Sequence, residues 1–322
     1  MSNKCSLQMC GLALIVLSLA TVFVSPARSQ SVSGQDINQQ LQWYKTRAEF
    51  LIGEFRPQIR SGLSSQQQEI ERRVQYRVVV TGNANAQARV SGSIGYTDIS
   101  AGLVQVIDWL SHALAISAEF GKRACTMGYV KYLADGIEGN SSAVASHQPL
   151  QPVGSPFVFA RLRPDLCPGV TEARFRARQR AVEIRELFVA GSLKLIMAHE
   201  LAHHVYGHTL SRPVNLKASR ERERAADEFS FRALSLSGTI PYEGFPVILL
   251  FSAVEGFSIE GETASDHPSG LHRLRDMAAF SADAVESDEA VKNALINSGK
   301  MEQWRQMVAG LKEEIDELDR KR

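Results

Sequence analysis

The sequence lacks any charge imbalance: across 322 residues, 36 lysines and arginines stand against 35 aspartates and glutamates, a formal net charge of +1. No basic tract or acidic block interrupts the mixture, which excludes an electrostatically driven nucleic-acid binder and a solvating acidic tail. Internal repeats are also absent, so a repeat architecture is excluded. Cysteine is scarce, with four in the chain. Cys5 and Cys10 lie within the first 29 residues, leaving Cys125 and Cys167 downstream. What is present is ordinary for a globular protein: 44% hydrophobic and 22% charged residues, enough for one large or two small cores.

Residues 1–29 read as an export signal. Lys4 supplies the positive start, Gly11 to Val24 form an uncharged apolar run, and Ala27-Arg28-Ser29 places small residues where cleavage is expected. Loss of Lys4 and Arg28 takes the net charge from +1 to −1. The alternative is an uncleaved N-terminal anchor, since the run is near the lower length limit for a spanning helix. Export places Cys125 and Cys167 in an oxidising compartment, where a disulfide between them is the expectation and two separate buried thiols the alternative.

Further along, apolar residues Leu41, Tyr44, Phe50, Leu51 and Phe55 recur at helical spacing, and a second helix near 66–73 carries a Ser65/Gln68 capping box. Segments 74–80 and 86–97 read as strands around a Gly82-Asn83 turn. Ser100 starts an amphipathic helix. Residues 136–170, rich in Gly, Ser and Pro, read as a long irregular excursion held by the disulfide. A helical pattern resumes near Thr171 and runs to His208 with a break at Gly191; helices follow at about 218–237, 243–254, 271–282, 288–298 and 301–320.

The chemistry concentrates in "MAHELAHHVYGH", residues 197–208. Four residues apart on a helix, His199 and His203 project from one face, the spacing zinc requires of two histidines on one element. Glu200 sits about 100° round from His199 and suits a general base acting on water beside the metal. The flanking Leu195, Ile196, Met197, Leu201, Ala202 and Val205 are apolar nearly all round, so this helix is buried, where two histidines and a glutamate are costly without a metal or partners. A third ligand is needed. The metzincin pattern fails, because Tyr206 and Thr209 stand where a glycine and a histidine would be required. His204 and His208, on a continued helix, lie about 100° and 140° from His203 and face elsewhere. The better candidate is Glu223, with Asp227 one turn later to accept the remaining N–H of a bound histidine. Glu221 and Glu228 are fallback ligands, and an exposed helix in which Glu221, Glu223 and Arg224 pair with neighbours is the bland alternative.

"HELAHHVYGH", "ERAAD" and "HPSGLHR" resemble, in order and spacing, the zinc metallopeptidase family that includes the heat-shock membrane protease HtpX, the CAAX prenyl endopeptidase and the periplasmic beta-barrel assembly-enhancing protease. In that family the third ligand opens a Glu-x-x-Ala-Asp pattern, here Glu223, Ala226 and Asp227, and a His-Pro segment followed by arginine matches His267, Pro268 and Arg273. The stretch 85–103 looks like the family's Asn-Ala strand and the start of its next helix. The resemblance implies an α+β, mostly helical, zincin-like (gluzincin) core with a small sheet whose edge lies along the cleft. It implies that His267 approaches the metal, capping it or stabilising the tetrahedral intermediate, with Arg273 nearby. The expected organisation is a signal at 1–29, a metalloprotease domain at 30–284 with an insertion near 120–185, and a helical extension at 285–322.

The reading is therefore an exported, periplasmic endopeptidase with one zinc per chain, held by His199, His203 and Glu223. Glu200 is the base, and an extended substrate lies along the strand at Asn85, Ala86 and Ala88. Unfolded or misassembled polypeptides, envelope and outer-membrane proteins among them, are the expected partners, in protein quality control; nucleic acid is not. A chaperone-like binding module and an envelope docking protein with secondary proteolysis are the rival readings.

Overall fold

The computed structural model describes residues 34–146, 153–255, 267–306 and 308–309. The export-signal expectation at 1–29 and most of the expected helix 301–320 lie outside them.

Helix α1 (Gly34–Ser61) buries Leu41, Tyr44, Ala48, Ile52, Phe55 and Ile59, a stripe at three- and four-residue steps. Phe50, expected on that stripe, is 67% exposed because Ala48 and Ile52 complete the inner face instead. Helix α2 (Ser65–Arg72) follows. Its capping box uses Ser64 and Gln67, one residue earlier than expected: Ser64 adopts the extended backbone and its hydroxyl accepts from the Gln67 N–H, while Gln67 Oε1 accepts from the Ser64 N–H. Glu71, buried at the end of α2, is compensated by Arg56 and Arg60 of α1, which ties the two helices together.

Strands β1 (Val74–Val79), β2 (Ala86–Ser91) and β3 (Ile94–Ser100) form one sheet in the order β1-β3-β2. β3 lies parallel to β1 and antiparallel to β2. The hairpin turn is therefore at Gly92, whose φ of 60° favours glycine, and not at Gly82-Asn83. The 80–85 segment instead crosses the end of β3 to reach the far side of the sheet. There the Ser100 hydroxyl bonds the Asn83 carbonyl (2.6 Å) and caps helix α3 (Ala101–Phe120). Gly102 leaves room for this crossing, since a Cβ there would meet the Gly82 carbonyl oxygen at 2.5 Å. On the sheet, Asp98 accepts from Arg77 of β1 and Arg89 of β2, both guanidinium groups lying over the Tyr96 ring.

Helix α3 is long and apolar enough to cross a membrane by length and composition, yet it is buried on nearly every side inside the fold. It packs against α7 (Gln179–Val205), the other central helix. Between them in sequence, the excursion expected at 136–170 is helical in part, since α4 (Arg123–Ala145) runs into it and α5 (Pro156–Leu162) lies within it, while 147–152 fall outside the described residues; α6 (Glu172–Arg176) follows where the helical pattern is expected to resume. α4 runs through Gly136 because Val153 packs where a Cβ would stand, at 2.5 Å. Ser155 and Thr171 cap the two short helices. Cys125 and Cys167 are bonded, with Cα atoms 4.8 Å apart, fastening the start of α4 to the segment between α5 and α6. No break occurs at Gly191. The glycine admits the backbone of a 3-10 turn (Pro241–Gly244), since a Cβ there would lie 2.4 Å from the Glu243 carbonyl carbon.

After α7 come α8 (Leu216–Leu236), α9 (Phe245–Glu255), α10 (Gly270–Ser287) and α11 (Glu289–Asn297). Trp304, 1% exposed, docks the following segment by donating its indole N–H to the Ser281 carbonyl (2.9 Å).

Replacing both bonded cysteines by serine is expected to lower stability by about 4 kcal/mol, the chain entropy of a loop closed over 42 residues; denaturant titration under oxidising conditions measures it. Asp98 yields a pH effect. Burial raises its pKa, but hydrogen bonds from Arg89 and Arg77 outweigh this and hold it below the usual carboxylate range. Its stabilisation is thus complete above the unfolded value near 3.9 and disappears as pH falls through the lower folded one. Asp98→Asn should cost about 1 kcal/mol at neutral pH and flatten the acid limb of the stability curve.

Candidate active site

The site forms where the last two turns of α7 meet α8 and the outer strand β2. His199 and His203 bring their Nε2 atoms to 3.2 Å from each other. Glu223, on α8, reaches between them, with Oε2 3.1 Å from His199 Nε2 and Oε1 3.5 Å from His203 Nε2. All three donors lie within 4.8 Å of one another, and among the described residues this is the group that offers three potential metal donors at one point. Glu221, 60% exposed at its side chain, and Glu228, also exposed, stand away from it.

The electrostatics favour a cation at that point. Burial lowers the His203 imidazole to about 3, helped by the charge of His199, so it is neutral with a lone pair free. Burial also opposes charge on His199, but hydrogen bonds to Asp227 and Glu223 raise it to about 10. The short contact between His199 Nε2 and Glu223 Oε2 (3.1 Å) thus lies at the point on which the three donors converge. Burial works against the Glu223 carboxylate too, yet His199 and His267 hold it far below its ordinary range. Two imidazole nitrogens and one carboxylate fit the donor set of zinc with a fourth position open.

Around the donors stands a layer of positioning groups. His199 Nδ1 lies 2.9 Å from Asp227 Oδ1. Arg273, expected near the reacting atoms, instead donates two bonds to Asp227, from Nε (2.7 Å) and Nη2 (2.8 Å), and is 5% exposed over the Phe251 ring. Its arginine fork holds the acid that holds the histidine. His267 lies at the cleft with Nδ1 3.4 Å from Glu223 Oε2. The His-Pro segment reaches there because Gly270 lets α10 approach α9, where a Cβ would stand 2.3 Å from the Ser252 Cα.

His208 overturns an expectation. On a continued helix it would face away, but α7 ends at Val205 and Gly207, with φ 68°, turns the chain back. His208 Nδ1 then lies 3.1 Å from His203 Nδ1. Gly207 was the signal in the sequence, a residue suited to the left-handed position that ends helices. His204 faces elsewhere as expected: its Nε2 meets the Tyr96 carbonyl of β3 at 3.2 Å, which fastens α7 to the sheet.

Glu200 lies on the wall of a cleft of about 430 Å³ that also includes Asn85, Ala86, Ala88, Phe251 and His267. Burial and the charge of Glu223 raise its pKa to about 7, against His199 and the Ala88 backbone, which lower it. Among the described residues β2 pairs only with β3, and Ala86, Gln87 and Ala88 of β2 line this cleft. The substrate-strand residues Asn85, Ala86 and Ala88 thus stand beside the donors. Such an arrangement can place an extended backbone, a carboxylate base and a cation together.

Residues 161–294 match the family described as Peptidase U49, a stretch shorter than half the chain that includes every donor and positioning residue named on α7, α8 and α10. The chain is thus similar to a peptidase family, and the similarity supports a proteolytic activity. The matching family is not the one to which the motifs bear a resemblance. No curated protein and no solved structure matches the chain.

Arg273→Met should cost about 3 kcal/mol or more, because it leaves the buried Asp227 carboxylate without its guanidinium. In the Asp227→Asn/Arg273→Met pair the loss should fall well short of the sum of the two single changes, as read by denaturant titration.

Proposed function

We propose that the chain is a zinc-dependent endopeptidase with a zincin-like core. The observation that carries this reading is the convergence of His199, His203 and Glu223 beside Glu200 and β2. The two imidazole Nε2 atoms and the Glu223 carboxylate would hold the ion. When bound, zinc supplies Lewis-acid chemistry, making water acidic near neutral pH and polarising a carbonyl.

The chain's own residues do the rest. Asp227 accepts the Nδ1 proton of His199, which directs Nε2 towards the ion and fixes the tautomer. Arg273 keeps Asp227 ionised and in place. His208 sets the ring of His203 from the opposite side. Glu200, on the cleft wall, takes the proton of the attacking water and passes it to the leaving amine. Backbone groups along Asn85–Ala88 pair with an extended substrate, which makes binding tolerant of sequence. His267, beside Glu223 at the cleft, stands where developing negative charge on the substrate needs a donor.

The substrate class follows from the edge-strand mode of binding: polypeptide that is locally unfolded. With the export-type N-terminus, this supports a role in quality control of periplasmic or envelope proteins. Purified protein should contain one zinc per chain and cut an unfolded polypeptide. Glu200→Gln should retain zinc while cleavage drops by about 10²–10⁴-fold, and Glu223→Ala should lose zinc. Asp227→Asn should weaken zinc about 10–100-fold. A wild type without stoichiometric metal, or one that holds substrate without cutting it, would overturn the reading.

A further inference from the structure

The connection between the two donor-bearing helices carries an unusual surface. Leu210 is 76% exposed, Val214 89% and Leu216 43%. The loop that presents them is well anchored. Arg222 donates to the Ser211 carbonyl (2.6 Å) and hydroxyl (3.1 Å), and Asn215 caps α8 through the Ala218 N–H (2.8 Å). The aliphatic side chains are thus held outward on a fixed backbone, with Pro213 between them.

Charge is the second observation. Residues 208–222 contain Arg212, Lys217, Arg220 and Arg222 against one acid, the exposed Glu221, whose carboxylate lies 3.9 Å from Lys217, so the stretch carries a net positive charge in a chain whose charges otherwise nearly cancel. Arg212 is exposed on the same loop as Leu210 and Val214, and Lys217 is exposed in the first turn of α8 beside Leu216. The loop also borders the cleft: His208 and Thr209 line it together with Asn85–Ala88, and β2 touches the 3-10 turn His208–Leu210. At the end of the β2–β3 hairpin, Val90 and Ile94 add further exposed apolar surface.

We infer that this loop is a membrane-surface anchor. Leu210, Val214 and Leu216 enter the interfacial layer of a bilayer that bears anionic headgroups, and the exposed Arg212 and Lys217 lie among the phosphates. Aliphatic tips beside an excess of positive charge match a surface that is apolar below and negative above. An unfolded polypeptide would be matched by the aliphatic groups alone and gives no reason for the excess of positive charge. The anchor holds the cleft close to the lipid surface, where chains leaving or entering a membrane are found.

The test uses the full chain and vesicles of phosphatidylcholine with or without phosphatidylglycerol. Comparison among variants of one chain makes any contribution of the apolar segment 11–24 common to all. Val214→Trp should gain, over the wild type, an emission component that brominated acyl chains quench in anionic vesicles. Arg212→Gln/Lys217→Gln should weaken partition into anionic vesicles about 30-fold and leave cleavage of an unfolded polypeptide in lipid-free solution unchanged. An added tryptophan that stays unquenched in anionic vesicles overturns the inference. So does a Leu210→Ser/Val214→Ser variant that partitions like the wild type but loses lipid-free cleavage, since that result assigns the loop to polypeptide binding.

Discussion

Compensation of buried charge at the end of α7 is the constraint on which the rest of the site depends. His199, Glu200, Glu223 and Asp227 are packed into one low-dielectric region, where an unpaired charge is costly. The chain meets this requirement in a relay: Arg273 faces Asp227, Asp227 faces His199, and His199 faces Glu223. Each member fixes the orientation of the next. The imidazole Nε2 atoms are consequently the groups left facing the centre, which is what a metal site requires of them. α10 is recruited by its arginine, and α8 by two carboxylates one turn apart.

Close backbone approach does the positioning that charge alone cannot. Gly191 admits the 241–244 turn against α7, Gly102 admits the 82–83 crossing under α3, and Gly270 admits α10 against α9. Each contact would be blocked by a single methyl group. Together they bring β2, α7 and the His267 segment to one cleft. The disulfide and the short helices α5 and α6 stabilise the opposite flank, where Phe157, Phe175 and His112 pack together.

Much of the site was legible from residue spacing. His199, His203, Glu223 and Asp227 could be grouped because helical periodicity constrains which side chains share a face, and because each residue type suits one role. Capping chemistry likewise located the start of α3 at Ser100. The errors have physical causes. His208 was misplaced because the helix was extended past Gly207. Gly191 read as a break and Gly136 as part of a loop, since a glycine tolerated for close packing looks the same as one that ends a helix. The order β1-β3-β2 was hidden because strand pairing is a long-range choice that local alternation does not encode.

By itself the sequence determined which residues could act: two histidines and two carboxylates at one-turn spacing on buried helices, an adjacent glutamate, and a strand rich in small residues. These follow from local geometry, which repeats every few residues. Only the tertiary structure decided that Arg273 serves Asp227, that His208 returns to His203, and that β2 lines the cleft beside the donors. Those outcomes depend on contacts between segments far apart in the chain, and the packing of the whole core is what selects them.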